Sequence, residues 1–131
     1  MARGSRILVV DDEPNLRLLY RHLLVSEGYQ VKSVASAAEA LDLMERFPPD
    51  LVVMDIRMPY MDGIEAMGLM LNRKSDLPIV LNSAYCSSKD NFCAWPASAY
   101  LVKSSDTSEL TRTIRALLDG SKESIPSSQA A

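Results

Sequence analysis

Short runs of apolar residues alternate along the chain with longer segments in which apolar residues recur at helical spacing. Three of these runs are continuous and rich in β-branched and aliphatic side chains, which is typical of strands covered on both faces. The pattern predicts five strands, at Arg6–Asp11, Gln30–Val34, Asp50–Asp55, Pro78–Asn82 and Ala99–Val102. It predicts helices at residues 14–27, 37–46, 62–73, 87–95 and 106–119.

Residues that typically start and stop helices support these boundaries. Pro14 suits a first helical turn, where its missing N–H needs no partner, and Gly28 suits the position after a helix end. Ser36 and Glu39 have the spacing of a capping box. Five strand–helix units in series predict an α/β fold, a doubly wound five-stranded parallel sheet with helices on both faces.

Length and composition narrow the class of protein. A chain of 131 residues with 47% hydrophobic and 24% charged residues is typical of one globular domain. Its net charge of −3 gives no general attraction to nucleic acid or to an anionic membrane, so direct contact with either is not expected. The first residues do not resemble a secretory signal, and we expect a cytoplasmic protein. We expect a domain at 1–120 and a disordered tail or truncated linker at 121–131.

Side chains able to carry chemistry follow four of the predicted strands. Asp11 and Asp12 lie at the end of the first strand, and Asp55 ends the third. Ser83 follows the fourth strand and Lys103 follows the fifth. Because the carboxyl ends of parallel strands meet at one edge of a doubly wound sheet, we expect these five residues to converge there.

Crowded carboxylates at this edge predict a divalent cation. A pair of like charges about 4 Å apart costs roughly 4 kcal/mol at an effective dielectric of about 20, so protonation or a cation must offset the repulsion. A site with few protein ligands favours Mg²⁺ over Ca²⁺, and the acids have no neighbouring His or Cys to suit zinc. A carboxylate with Mg²⁺, an amine and a hydroxyl is suited to phosphoryl transfer onto aspartate.

Four segments together resemble the receiver domain of bacterial two-component response regulators. They are ILVVDDEP at 7–14, DLVVMDIRMPYMDG at 50–63, LPIVLNSA at 77–84 and AYLVK at 99–103. The resemblance covers about residues 5–119 and implies a flavodoxin-like (βα)5 fold with strand order 2-1-3-4-5. It also implies a phosphorelay protein that is no enzyme beyond Mg²⁺-dependent self-phosphorylation and autodephosphorylation.

The resemblance assigns roles to the acidic residues. Asp55 resembles the phosphoacceptor, and Asp12 resembles the direct carboxylate ligand of Mg²⁺. Asp11 is implied to act on the ion mainly through water. The backbone carbonyl of Arg57 is implied as a further ligand.

The resemblance also implies a switch. Ser83 occupies the Ser/Thr switch position and Lys103 the position of the phosphate-contacting lysine. Tyr100 matches an aromatic switch residue, although a strand tyrosine serves equally well as a packing residue. In the family these residues repack a face that here comprises the predicted helix 87–95, the fifth strand and the last helix. That face is the expected contact for an output domain or a second copy of the chain.

The first helix carries more apolar residues than one core-facing stripe requires. In the family this helix docks the histidine kinase. The resemblance therefore implies that a histidine kinase or phosphotransfer protein contacts Asn15, Leu16, Leu19 and His22.

Departures from the family leave alternatives open. Ser104 stands where the family usually has proline after the lysine, and Pro96 stands where it usually has the glycine that ends a helix. The segment between Ser83 and Tyr100 is also shorter than usual. These features keep open a degenerate receiver that binds partners without phosphorylation. A hydrolase with an aspartate nucleophile is a weaker alternative, because Arg57 occupies the place of the second acid that it would need.

Overall fold

The computed structural model describes residues 4–55, 63–83, 99–102 and 107–119. The strands are β1 (Arg6–Val10), β2 (Gln30–Val34), β3 (Leu51–Met54), β4 (Ile79–Ser83) and β5 (Ala99–Val102). The helices in this part of the chain are α1 (Pro14–Ser26), α2 (Ala37–Leu43), α3 (Gly63–Arg73) and α4 (Ser108–Leu118). The predicted helix 87–95 and tail 121–131 lie outside the described residues.

The five strands form one sheet in the order β2-β1-β3-β4-β5, and every neighbouring pair is parallel. The predicted fold and strand order are therefore confirmed. Strand order reverses beside β1, which pairs with β2 on one side and β3 on the other. In sheets of this kind the ligand site lies outside the carboxyl ends of the strands at such a reversal.

Helix ends follow local chemistry, and the bounds of all four described helices differ from the predicted ones by one to three residues, most at the end of α2. The Ser36 hydroxyl accepts a hydrogen bond from the Glu39 amide at 3.2 Å, and the Glu39 carboxylate accepts one from the Ala35 amide at 3.1 Å. These bonds cap the start of α2. The helix ends at Leu43, not at residue 46, because the Arg46 amide bonds three residues back, to the Leu43 carbonyl. This tighter turn closes the helix ahead of the two prolines.

Two apolar clusters pack on opposite faces of the sheet. One contains buried residues of α2 and α3, and the other contains buried residues of α1 and α4. Alternate residues of β1 belong to different clusters, Leu8 and Val10 to the first and Ile7 and Val9 to the second. A strand buried on both faces needs apolar side chains at every position, which explains the continuous apolar runs.

A buried polar pair interrupts the cluster on the α1 side. The Asn82 side-chain amide donates a hydrogen bond to the Tyr20 hydroxyl at 2.9 Å, and the two residues are 4% and 3% exposed. Asn82 immediately precedes Ser83, so this bond ties α1 to the carboxyl end of β4. A buried amide needs a partner, because leaving it unpaired carries its full desolvation cost.

Replacing Tyr20 with phenylalanine should therefore lower the free energy of unfolding by about 1–3 kcal/mol, measured by urea denaturation. The double variant Tyr20→Phe with Asn82→Leu removes both polar partners and should recover part of that loss. Additive losses in the double variant would show that the hydrogen bond does not couple the two residues.

The end of α4 contacts the turn that follows α1. The Arg115 guanidinium donates a hydrogen bond to the Glu27 carboxylate at 2.5 Å. The Arg115 side chain is 53% exposed, so solvent screening makes this ion pair a weak contributor to stability. Burial raises the pKa of the neighbouring Tyr29 hydroxyl above its usual value.

No helix in the described part of the chain has the length and hydrophobicity of a membrane span.

Candidate functional site

The ends of two adjacent strands bring acidic residues together. In β1 and β3, Val10 lies opposite Met54, so the next residues, Asp11 and Asp55, leave the sheet side by side. The Asp55 amide donates to the Val10 carbonyl at 2.9 Å, and the Asp11 amide donates to the Val34 carbonyl at 3.1 Å. These bonds extend the sheet ladder by one residue and fix the backbone under both carboxylates.

Three carboxylates share this edge. One oxygen from each of Asp11, Asp12 and Asp55 lies within 4.8 Å of the others. Asp11 and Asp55 are only 2% and 7% exposed, whereas Asp12 is exposed. Side chains from separate strands thus form a compact acidic cluster with one open side.

The chemistry of this donor set fits a hard divalent cation. All three donors are carboxylate oxygens, which Mg²⁺ prefers, and the exposed side leaves room for the waters that this ion keeps. A cation would also offset the repulsion between negative charges, two of which are largely shielded from water. The residues present therefore fit a magnesium site.

Local hydrogen bonds shape the loop between β1 and α1. The Asp11 carboxylate accepts a hydrogen bond from the Glu13 amide at 3.0 Å, which stabilises the turn into the helix. The Arg17 guanidinium donates to the backbone carbonyl of Asp11 at 2.7 Å. Sequence reasoning missed Arg17, because its contact depends on how the helix packs beside the loop. A basic residue one turn into a helix after an acidic loop is the only sequence signal for it.

The remaining candidate residues are placed by their strands. Ser83 is the last residue of β4 and pairs with Val102 at the end of β5, at the same edge of the sheet as the acids. Tyr100 lies within β5, opposite Leu81. Lys103 and Arg57 lie outside the described residues.

The surface of α1 is more apolar than that of a typical exposed helix. Of the four residues expected to face a partner, Asn15 and His22 are exposed, Leu19 is 47% exposed, and Leu16 is half-buried against the core. Leu18 and Val25 are also exposed, at 67% and 51%. Together with Arg21 and His22 they line a shallow groove of about 240 Å³. Leu18 and Val25 were not among the residues predicted from the sequence to face a partner, although both fall outside the core-facing stripe of α1.

Comparison with curated proteins finds response regulators. A 14.6 kDa uncharacterized protein of Leptolyngbya boryana is 41% identical over 113 residues, which cover 83% of this chain and 86% of that protein. Response regulator MprA of Mycobacterium sp. strain KMS is 39% identical over 115 residues, which cover 86% of this chain and 50% of that protein. The chain thus spans about half the length of that regulator.

Comparison with solved structures finds the same fold. Response regulator protein TrrA of Thermotoga maritima, in complex with Mg²⁺-BeF, is 39% identical with a TM-score of 0.80, covering 86% of this chain and 98% of that one. The complex of histidine kinase ThkA with TrrA contains a match of 39% identity and TM-score 0.79, covering 87% of this chain and 98% of that one.

A family match completes the comparison. Residues 7–115 match the response regulator receiver domain. This span contains β2 to β5, all of β1 except Arg6, and the three clustered aspartates. The chain belongs to the response regulator receiver domain family, the phosphorelay module of two-component signal transduction.

Proposed function

We propose that this receiver accepts a phosphoryl group on Asp55 with the help of Mg²⁺. The observation that carries the proposal is the convergence of Asp11, Asp12 and Asp55 within 4.8 Å at the carboxyl ends of β1 and β3. This arrangement places a potential nucleophile beside a set of cation ligands. The chain is then a substrate and a switch, and acts as a catalyst only on its own phosphorylation and dephosphorylation.

Each residue of the site has a distinct proposed role. An oxygen of Asp55 bonds to phosphorus while the bond between phosphorus and the donor breaks. Asp12 and Asp55 hold the ion directly, with the Arg57 carbonyl as a further ligand, and Asp11 acts mainly through water. When bound, Mg²⁺ supplies positive charge that offsets the negative charge of the acceptor and of the phosphoryl oxygens. Lys103 contributes a second positive charge to those oxygens.

Phosphorylation would act as a switch through Ser83. The phosphoryl group adds a charge of about −1.5 to −2 at the edge of the sheet, and a hydroxyl drawn towards it favours one of two packings. Ser83 ends β4, which is hydrogen-bonded to the strand that carries Tyr100. The proposed signalling face is β5, α4 and the segment 87–95.

The proposed phosphoryl donor is a histidine kinase or a phosphotransfer protein. The complex of ThkA with TrrA supports this choice, since TrrA is similar to nearly the whole receiver. The proposed contact on this chain is α1 at Asn15, Leu16, Leu19 and His22, of which Leu16 is only partly exposed. We further propose that the signalling face meets an output domain, which the greater length of MprA supports, or a second copy of the chain. A cytoplasmic location remains a prediction.

Labelling with acetyl phosphate, read by intact mass, tests the acceptor. We expect one phosphoryl group on the wild type in Mg²⁺, and none on Asp55→Asn or after chelation of the ion. Asp50→Asn is a matched control, because Asp50 immediately precedes β3, at the end of the strand opposite to Asp55. Its carboxylate accepts a hydrogen bond from the Arg6 amide at 2.7 Å. Equal labelling of wild type and Asp55→Asn would refute the proposed acceptor.

Beryllofluoride, a phosphate mimic, separates the proposal from phosphorylation-independent binding. A phosphoacceptor should bind the mimic only in the presence of Mg²⁺, whereas a degenerate receiver should not bind it. Ser104 and Pro96 motivate that alternative, and both lie outside the described residues. Absence of binding in excess Mg²⁺ would favour the degenerate receiver.

A further inference from the structure

We propose that Arg17 is a positioning residue for the magnesium site, because it holds the peptide unit between two of the acidic residues. Its guanidinium donates a hydrogen bond to the Asp11 carbonyl oxygen at 2.7 Å. That carbonyl belongs to the peptide that joins Asp11 to Asp12. The inference rests on the proposed function, since it concerns Mg²⁺ bound by these carboxylates.

The loop that carries the two acids is fixed on either side of this peptide. Before it, the Asp11 amide donates to the Val34 carbonyl at 3.1 Å. After it, the Glu13 amide donates to the Asp11 carboxylate at 3.0 Å. Rotation of the intervening peptide plane would redirect the exposed Asp12 side chain while leaving both bonds in place. The contact from Arg17 restricts that rotation.

Arg17 is itself well anchored. Its amide donates to the Glu13 carbonyl at 3.0 Å as part of the first turn of α1, and its side chain is half-buried. A guanidinium presents its donors in a rigid plane, so less freedom is lost per hydrogen bond than with a lysine. Its charge also strengthens the bond to a neutral carbonyl. The helix therefore supplies a rigid support for the loop.

A preorganised ligand binds its ion more tightly, because less conformational freedom is lost on binding. Partners that orient metal ligands typically affect metal affinity by about 10–100-fold. The charge of Arg17 acts in the opposite direction, since a nearby cation repels Mg²⁺ and offsets carboxylate repulsion in the metal-free protein. The two effects have opposite signs, so the sign of the change in Mg²⁺ affinity distinguishes them.

Titration of the metal-free full chain with MgCl₂, followed by calorimetry without any phosphoryl donor, tests the inference. We expect the Kd for Mg²⁺ to rise about tenfold in Arg17→Met. In Arg17→Lys we expect a rise at least as large, because the charge remains while the planar donor is lost. Arg21→Met is the matched control, since Arg21 is exposed one turn further along the same helix. Its Kd should stay close to that of the wild type.

A second measurement needs neither ion nor phosphoryl group. In the metal-free protein, hydrogen exchange at the Glu13 amide should be faster in Arg17→Met than in Arg21→Met, because the loop around Asp11 is less restrained.

A third measurement separates the positioning role from a general loss of folding. At saturating Mg²⁺, labelling of Asp55 in Arg17→Met should return to the wild-type rate, which a general loss of folding would not allow.

The outcomes separate this inference from the proposed function. An unchanged or tighter Mg²⁺ affinity in Arg17→Met, with normal binding by the wild type, overturns the positioning role alone. An Arg17→Lys variant that binds Mg²⁺ as the wild type does would show that the planar guanidinium is not required and would also overturn it. A wild-type protein that does not bind Mg²⁺ overturns the proposed function itself.

Discussion

Replacing Asp12 with alanine is expected to remove the stabilisation of this protein by Mg²⁺. A ligand at ten times its Kd raises the free energy of unfolding by about 1.4 kcal/mol when it binds only the folded state. Asp12 is the exposed member of the acidic cluster and the proposed direct ligand. Without it the ion loses a proposed direct carboxylate ligand, so urea denaturation of Asp12→Ala should be independent of Mg²⁺.

The same variant should become more stable than the wild type in metal-free buffer, because one of three crowded negative charges is gone. Its labelling by acetyl phosphate should fall by about a hundredfold at a fixed Mg²⁺ concentration, since a bound cation contributes several kcal/mol to such transfers. Asp76→Ala is the control, because Asp76 is exposed in the turn after α3. An Mg²⁺-dependent stability that persists in Asp12→Ala would contradict the proposed ligand.

Replacing Leu24 with alanine is expected to cause a large loss of stability. Leu24 is fully buried in the cluster between the sheet, α1 and α4, where it packs among residues that include Tyr20, Val80 and Ile114. Truncating a buried leucine removes its transfer free energy and leaves a cavity, which costs about 2–5 kcal/mol. Domains of this kind are stable by about 5–15 kcal/mol, so the variant should lie close to the limit of folding.

Leu18→Ala provides the matched comparison on the same helix. Leu18 is 67% exposed, so the same truncation should change the free energy of unfolding by about 0.5 kcal/mol or less. Urea denaturation of both variants in metal-free buffer measures the difference. Similar losses in the two variants would mean that Leu18 is covered in solution, for example by a second copy of the chain.

Much of the fold could be predicted because the local pattern of apolar residues marks each strand. All five predicted strands are present, and the ends of β2 and β5 are as predicted. The end of α2 could not be predicted, because it depends on how the backbone tightens after Leu43 rather than on a change of residue type. The predictions for Arg57, Lys103, the helix at 87–95 and the tail concern residues outside the described part of the chain.

The convergence of the acids could also be predicted, since it follows from strand order. Asp11 and Asp55 are far apart along the chain but follow adjacent parallel strands, and any doubly wound sheet with this order brings them to one edge. The resemblance of the surrounding segments then supplied the roles of the individual residues. What could not be predicted was which side chains support the site.

The sequence by itself determined the alternation of strands and helices, the parallel sheet and the edge at which the acids meet, because these depend on hydrophobic period and chain connectivity. Only the tertiary structure decided that Arg17 bonds to the Asp11 carbonyl and that Tyr20 pairs with Asn82, 62 residues away. Such contacts depend on the direction of individual side chains at a packed interface. No local pattern encodes that direction, since it is set jointly by the helix and the strand that meet there.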